Sequence, residues 1–330
     1  MVQKRDINLD ILRFIGTLLV ILAHVGPPTL VQNIRTFDVI MLIVVSGMSI
    51  HKSRYSNNFL SYIYNRFKKL ILPLYLILTV IFLINYFTYK VLGISSSGIN
   101  TKKIIESYLL LDGIGYVWIA RVFLIISIGT PLIPKLIKNK SFNLFIGELG
   151  LYYIAFLSMC WLNGILESRF IEYFIIQTFP YFIVAMIGYR LYINKSEVVK
   201  FFSLSLILLV VTTLFYFLCG KSLLPDDYKY PPQLLYLSYG LSVTFGIYLI
   251  INKIRLLKDI LNNKLIVFVS INSYYIYLFH ILAIFIYNGV RKFIIIDLTI
   301  EYLVKYIFVT SISLFLAFIR GKIINNYIKN

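Results

Sequence analysis

Long apolar segments follow one another along almost the whole chain, and they constrain the fold more than any other feature. Hydrophobic residues make up 59% of the 330 residues and charged residues only 14%. An ordinary soluble domain has about 45–50% apolar and about 25% charged residues. So few charged side chains cannot cover the surface of a soluble globular enzyme, and this composition also excludes a disordered chain. The sequence therefore predicts an all-α, polytopic membrane protein.

The apolar segments have the length of membrane-spanning helices, which need about 20 mostly apolar residues. We expect about ten of them, forming one integral-membrane domain over residues 1–330 with no separate soluble domain. The predicted spans are residues 9–25, 36–50, 70–89, 115–137, 142–161, 173–193, 201–219, 234–252, 265–287 and 302–318. The fourth span contains Pro131 and Pro134, so we expect a kink there.

The net charge of +18 is explained by the membrane topology. Basic residues are scattered between the apolar segments and form no single stripe, which argues against a nucleic-acid partner. With the N-terminus inside, the inside loops hold more than twice as many Lys and Arg residues as the outside loops. Because cytoplasmic loops are enriched in basic residues, the sequence predicts that both termini lie inside.

A few ionisable side chains fall within predicted spans, where they are costly and therefore candidates for function. They are Asp10, Arg13, His24, Asp38, Arg121, Glu148 and His280, with Lys305 near the end of a span. At about 100° per residue, Arg13 and His24 share one helix face and stand ~16 Å apart along the axis. Asp10 can pair with Arg13. A neutralised pair of this kind with a histidine at the membrane interface is also a purely structural interpretation.

Three further motifs lie on other spans. Ser46 and Gly47 in the second span are small residues of the kind that allow close helix packing. The basic loop 66–69 leads into Pro73 and Tyr75; it is either a positive-inside signal or a grip for phosphates. The ninth span carries Ser273, Tyr274, Tyr277, Leu278 and His280. Its orientation puts His280 at a depth similar to that of His24.

These motifs, in this order and on these spans, resemble the bacterial acyltransferase-3 family, the multispanning O-acyltransferases of surface polysaccharides. The hallmark of that family is an arginine, ten residues and then a histidine in the first span, here Arg13 and His24. The basic loop departs from the family pattern because Lys69 stands where a second arginine is usual. Lysine keeps the charge and loses the bidentate geometry with phosphate.

The resemblance implies an acetyl-CoA or other acyl-CoA co-substrate and no permanently bound cofactor. No metal is expected, because no Cys/His cluster in the sequence has the spacing of metal ligands. The resemblance also implies a polysaccharide or lipid-linked sugar as acceptor, in the bacterial cytoplasmic membrane. Arg13, Arg66 and Lys69 would bind the phosphates of the donor. His24 would act as general base or would itself carry the acyl group. The candidate acceptor-binding residues are Asp38, Ser46, Tyr274 and His280, of which Asp38 and His280 could instead orient His24.

Other interpretations stay open. A transporter or flippase for lipid-linked sugars also needs charge inside the membrane, but it predicts repeated halves and broken helices. A polysaccharide polymerase of the usual pattern carries a large arginine-rich outer loop, whereas the outer loops here are short. A membrane scaffold without chemistry would not need Arg13, His24 and His280.

Two further expectations concern pairs of residues. Arg121 and Glu148 are expected to form a structural pair. Cys160 and Cys219 form either a disulfide or, as the favoured interpretation, two buried unpaired thiols.

Overall fold

A computed structural model describes residues 5–52, 58–92, 99–254, 259–291 and 297–329. Five of the basic residues counted in the predicted loops lie outside these ranges, namely Lys4, Arg54, Arg255, Lys258 and Lys292. The described residues form 13 α-helices and contain no strand. The prediction of an all-α fold is therefore confirmed.

The helices are α1 (Ile7–Ala23), α2 (Thr29–Arg35), α3 (Asp38–Met48), α4 (Phe59–Leu92), α5 (Thr101–Tyr108), α6 (Val117–Gly129), α7 (Ile133–Ile137), α8 (Phe142–Leu166), α9 (Phe179–Ile193), α10 (Val198–Leu218), α11 (Leu234–Lys253), α12 (Lys264–Val290) and α13 (Leu298–Lys329). Short 3-10 turns and one π-helix, Ile171–Ile176, connect some of them.

Eight helical segments in the described part of the chain are long and apolar enough to cross a membrane. One of them joins α2 and α3, and the others contain α4 and α8–α13. The two remaining predicted spans correspond to α1, with 17 residues, and to α6, with 13 residues. The protein is a multi-pass membrane protein, whereas the orientation of its termini stays a prediction.

Two predicted spans differ from the helices in their boundaries. The fourth span is divided, because α6 ends at Gly129 and α7 begins at Ile133 on the far side of Pro131, which has no N–H to continue a helix. The expected kink is thus a break. Helix α4, which contains the third predicted span, starts at Phe59 and not at residue 70, so the basic segment 66–69 is helical rather than a loop. Lys and Arg are good helix formers, and an exposed helix can continue beyond the apolar core.

The chain divides into two compact units, and the first unit comprises Met1–Asp38, Leu72–Tyr116 and Ile251–Asn330. In it, α12 packs against both α1 and α13. The buried cluster between these three helices includes Ile21, Ile276, Ile284 and Val309. The expectation of a single domain over residues 1–330 stays a prediction.

The second unit comprises Val39–Ile71 and Val117–Ile250. Its helix α9 contacts α6, α7 and α8 and crosses α3 at backbone distance. A Cβ atom added to Gly47 would lie 3.0 Å from the carbonyl carbon of Ala185, and one added to Gly188 would lie 3.0 Å from that of Val44. The close packing predicted from the small residue in α3 is confirmed at Gly47.

One predicted pairing of polar residues, that of Arg121 with Glu148, has a clear outcome in the second unit. Arg121 and Glu148 do not pair with each other as expected: Lys140 donates to Glu148 at 2.6 Å, and the fully buried Arg121 donates to Gln177 Oε1 at 2.7 Å. Each group has a partner closer along the chain or on a neighbouring helix.

The cysteines Cys160 and Cys219 are free, which confirms the favoured interpretation of unpaired thiols. The expectation that they are buried is wrong. Cys160 is half-buried and Cys219 is exposed, because they lie in the last turns of α8 and just after α10.

Candidate functional site

Helix α1 carries both residues of the arginine–histidine motif. Asp6 caps its N-terminus by accepting a hydrogen bond from the Asn8 N–H at 3.1 Å, which satisfies one of the free donors of the first turn. Arg13 lies within the helix. His24 is the C-cap residue, and its backbone N–H donates to the Ile21 carbonyl at 3.0 Å. The histidine side chain is therefore held at the point where the helix ends.

His24 and His280 meet in the first unit. His280 Nε2 lies 3.1 Å from His24 Nδ1, and the ring centroids are 5.0 Å apart. His280 is fully buried on α12, whereas His24 is half-buried. The sequence predicted a similar depth for the two side chains, and the structure shows that they are hydrogen-bonded.

The hydrogen bonds of His280 determine which nitrogen of each neutral ring carries the proton. His280 Nδ1 bonds to the Tyr277 carbonyl oxygen, which can only accept, so Nδ1 carries the hydrogen. His280 Nε2 is then an acceptor, and His24 Nδ1 must be the donor in the bond between the rings. It follows that the lone pair of neutral His24 lies on Nε2. This tautomer can accept a proton or attack an electrophile at Nε2.

Tyr116 completes the surroundings of the two histidines and was missed by the sequence analysis. Its ring makes edge contacts with His24 at 5.0 Å and with His280 at 5.9 Å between centroids. The Tyr277 hydroxyl donates to the Tyr116 carbonyl oxygen. Tyr277 therefore positions both the proton of His280, through its carbonyl, and the backbone that carries Tyr116.

A tight turn before Tyr116 was the available sequence signal for it. Gly113 and Gly115 both have positive φ angles, 53° and 81°, which other residues adopt at a cost. A Cβ atom on Gly113 would lie 2.6 Å from the Ser107 Cα. The Ser107 hydroxyl also accepts from the Ile114 N–H at 3.1 Å. A Gly-x-Gly sequence directly before an aromatic residue and an apolar helix thus marks a constrained turn.

Arg13 is linked to a polar cluster at the start of α1 and α12. Asp10 pairs with Arg5, whose Nη2 donates to Oδ1 at 2.9 Å, and accepts from the Ser270 hydroxyl at 2.6 Å. Arg13 Nη1 donates to Ser270 Oγ at 3.4 Å. Asp10 thus reaches Arg13 through Ser270 instead of forming the direct pair predicted from their spacing. The hydrogen bond to Asp10 raises the pKa of Arg5, so the ion pair stays charged.

A comparison with known families decides what kind of protein this is. The acyltransferase-3 family, described as an acyltransferase domain, matches residues 6–320. The chain belongs to the acyltransferase-3 family. Searches among curated proteins and among solved structures gave no match. The protein is a membrane acyltransferase, as the resemblance of its motifs predicted.

Two further predicted residues of this acyltransferase lie in the first unit. Tyr274 is half-buried on α12, and its ring stacks on Tyr277 with centroids 6.4 Å apart. Asp38 forms a buried ion pair with Arg35, with 2.6 Å between Oδ2 and Nη1. The pairing explains how a carboxylate is tolerated at the start of an apolar helix. Contact of Asp38 or Tyr274 with an acceptor stays a prediction.

The other predicted site residues of the acyltransferase lie in the second unit. Ser46 is half-buried on α3, next to the Gly47 crossing. Arg66 and Lys69 are one turn apart on α4, where Arg66 is half-buried and Lys69 is exposed. The Arg66 guanidinium lies 4.9 Å from the centre of the Tyr62 ring. A role for these three residues in binding donor or acceptor stays a prediction.

Proposed function

We propose that this acyltransferase moves an acyl group, most simply acetyl, from acyl-coenzyme A to a sugar hydroxyl. The acceptor is a cell-surface polysaccharide or its lipid-linked precursor, and the enzyme works in the bacterial cytoplasmic membrane. The observation that carries the proposal is the hydrogen bond between His24 and His280, which gives His24 Nε2 the lone pair that a general base needs. Membership of the acyltransferase-3 family supports acyl transfer.

In the proposed reaction, His24 Nε2 takes the proton of the sugar hydroxyl while the sugar oxygen attacks the thioester carbonyl. A C–O ester bond forms, the C–S bond breaks, and the leaving thiolate receives the proton from His24. General base catalysis of this kind contributes about 10²–10⁴-fold. His280 Nε2 accepts from His24 Nδ1, so it stabilises the imidazolium as it forms.

A second route uses the same nitrogen as a nucleophile. His24 Nε2 attacks the thioester carbonyl, so that a C–N bond forms, the C–S bond breaks and coenzyme A leaves as a thiolate. The sugar oxygen then attacks the acyl-histidine, the C–N bond breaks, and the hydroxyl proton passes to the thiolate. The two routes differ in what happens without a sugar. A general base leaves the protein unlabelled by acyl-CoA, whereas a nucleophile retains a stoichiometric acyl label that is released when acceptor is added.

The acyl-CoA donor is an anion. In the first unit, we assign Arg13 as the cation that binds the phosphates of this donor. Its guanidinium shares Ser270 with the Asp10–Arg5 pair, so its position is fixed by groups on α12 as well as on α1. The acceptor side of the proposal includes Tyr274, whose ring stacks on that of Tyr277. For His280, the observed hydrogen bond favours orientation of His24 over direct contact with sugar.

The function is tested by the mass of the surface polysaccharide from cells with and without the gene. We expect the deletion to remove one acyl mass per modified sugar, and the wild-type gene, but not the His24→Ala variant, to restore it. Identical polysaccharide masses in all strains would contradict an acceptor of this class. Radiolabelled acetyl-CoA with purified protein in proteoliposomes then checks the donor, because another donor would leave the acceptor unlabelled.

Replacing Ser270 with alanine tests the link that holds Arg13. Loss of a hydrogen bond to a charged group corresponds to roughly a tenfold effect. We therefore expect the KM for acyl-CoA to rise about tenfold, with a smaller fall in kcat and with rescue by Ser270→Thr. Ser313→Ala is the matched control, because Ser313 is a fully buried serine of the same unit whose hydroxyl donates within its own helix, to Val309 O. An unchanged KM in Ser270→Ala would remove this residue from the donor site.

Two replacements of His280 separate a hydrogen-bonding role from a packing role. His280→Phe preserves a ring but has no acceptor for His24 Nδ1, so we expect kcat to fall about 10–100-fold with little change in KM. His280→Gln keeps an acceptor and should recover part of this loss. Equal kcat values for the two variants would show that His280 acts by packing alone.

A further inference from the structure

An apolar cavity of about 400 Å³ lies within the second unit. Residues of α8, α9, α10 and α11 line it, among them Leu149, Gly150, Val184, Leu208 and Leu241. No charged residue is found in this lining among the residues that the structure describes. The cavity contains none of the residues assigned above to acyl transfer.

Three hydroxyl-bearing residues belong to the lining, Tyr153, Ser205 and Ser238, and both serines donate hydrogen bonds within their own helices. Ser205 donates to the Phe202 carbonyl at 2.9 Å and accepts from Ser242 at 3.1 Å. Ser238 donates to the Leu235 carbonyl at 3.2 Å. The wall is therefore largely apolar, and a cavity of this kind favours an apolar molecule over water.

The position of the cavity indicates where an apolar ligand would come from. Two of its walls, α8 and α10, are largely uncovered. Only 11% of the residues in the apolar stretch of α8 and 17% of those in the apolar stretch of α10 are buried. The other two, α9 and α11, are each 56% buried. In a multi-pass membrane protein, uncovered apolar helices face the hydrocarbon of the bilayer. The void thus lies directly behind two lipid-facing helices.

We propose that this cavity binds one hydrocarbon chain of a membrane lipid. Atoms that line an empty void lack dispersion contacts on one side, and a chain entering between α8 and α10 restores them. The volume is sufficient, since an engineered apolar cavity of about 150 Å³ already binds benzene. This site is independent of the proposed acyl transfer. Its ligand is a flexible hydrocarbon chain, either unbranched or isoprenoid, that carries no polar groups.

Two glycines of α8 provide a matched pair of variants. Gly150 lines the cavity, and Gly147 does not. A Cβ atom at either position meets nothing within 4 Å, so the first atom of a larger side chain is unobstructed at both. Gly150→Phe fills part of the cavity, whereas Gly147→Phe adds the same ring to the same helix elsewhere.

The experiment uses the full-length protein in phosphatidylglycerol liposomes with a photoreactive diazirine placed halfway along a lipid chain. One arm carries the diazirine on a phospholipid acyl chain and the other on a polyprenyl phosphate. We expect the wild-type protein to be labelled at cavity residues such as Leu149 and Leu208 in at least one arm. Gly150→Phe should lose this label and Gly147→Phe should retain it. The arm that labels identifies the source of the chain.

Two results would overturn the proposal. One is labelling confined, in both arms, to outward residues such as Leu151 and Ile207, which are 65% and 60% exposed. The other is equal labelling of the cavity residues in the two glycine variants. Should Gly150→Phe fail to fold, Gly150→Leu takes its place, and the map of labelled residues in the wild-type protein decides by itself between a cavity and a surface site.

Discussion

Substitution of His24 by alanine is expected to reduce acyl transfer by about 10²–10⁴-fold while the protein stays folded and inserted. The reason is the tautomer fixed by His280, which places the reactive lone pair on His24 Nε2. Alanine removes that lone pair, whether it serves as base or as nucleophile. His24 is half-buried at the end of α1, so its loss leaves little void in the core. Initial rates of labelled acetyl transfer in proteoliposomes, normalised to inserted protein, measure the effect.

The third histidine of the chain supplies the control. His51 lies in the second unit, where its ring stacks on Tyr192 with centroids 3.4 Å apart and its Nδ1 lies 2.9 Å from the Met48 carbonyl. We expect His51→Ala to retain acyl transfer, because nothing assigns His51 to the reaction. Substantial turnover by His24→Ala, or an equal loss in the His51 variant, would show that the assignment of His24 is incorrect.

Replacement of Gly47 by leucine should have the largest effect on stability. The α3–α9 crossing is made backbone to backbone, with Gly47 against Ala185 and Gly188 against Val44. Any Cβ atom here meets main-chain atoms, which cannot move aside as a flexible side chain can. The cost should reach or exceed the upper end of the about 1–3 kcal/mol typical of overpacking. We expect the midpoint of thermal unfolding in detergent to fall strongly, or folded protein to be lost.

Gly164→Leu on α8 is the matching control for this prediction, since a Cβ atom at Gly164 meets nothing within 4 Å. Its unfolding midpoint should stay close to that of the wild type. A Gly47→Leu protein as stable as the Gly164→Leu protein would mean that α3 and α9 are not packed as closely as described. Gly188→Leu should resemble Gly47→Leu, because both act on the same crossing.

The sequence predicts the helices well because their signal is local. Runs of apolar residues define α8 to α13 directly, and Pro131 marks the break after α6. Boundaries outside the apolar runs are less predictable. The charges of segment 66–69 mark the end of a span and so predict a loop, but charged residues are compatible with a helix that begins as early as Phe59.

The site is predictable only to the level of single residues. Arg13, His24 and His280 stand out because each is costly in a membrane, and the depth of the histidines followed from the orientation of two helices. Their mutual hydrogen bond depends on the packing of α1 against α12, which no local pattern encodes. The same holds for Asp10, whose partners Arg5 and Ser270 compete with the nearer Arg13. For Tyr116 the Gly-x-Gly turn predicts a constrained backbone and not the contact with the histidines.

The acceptor that sets the proton on His280 is a main-chain oxygen, that of Tyr277, and this has an evolutionary consequence. Every amino acid supplies a main-chain carbonyl. A point mutation at position 277 can therefore replace the phenol while His280 Nδ1 keeps its acceptor and its proton. The tautomer of His24 with its lone pair on Nε2 is therefore insensitive to the identity of the side chain at position 277. An insertion, a deletion or a proline that reroutes the helical backbone would remove this acceptor from His280.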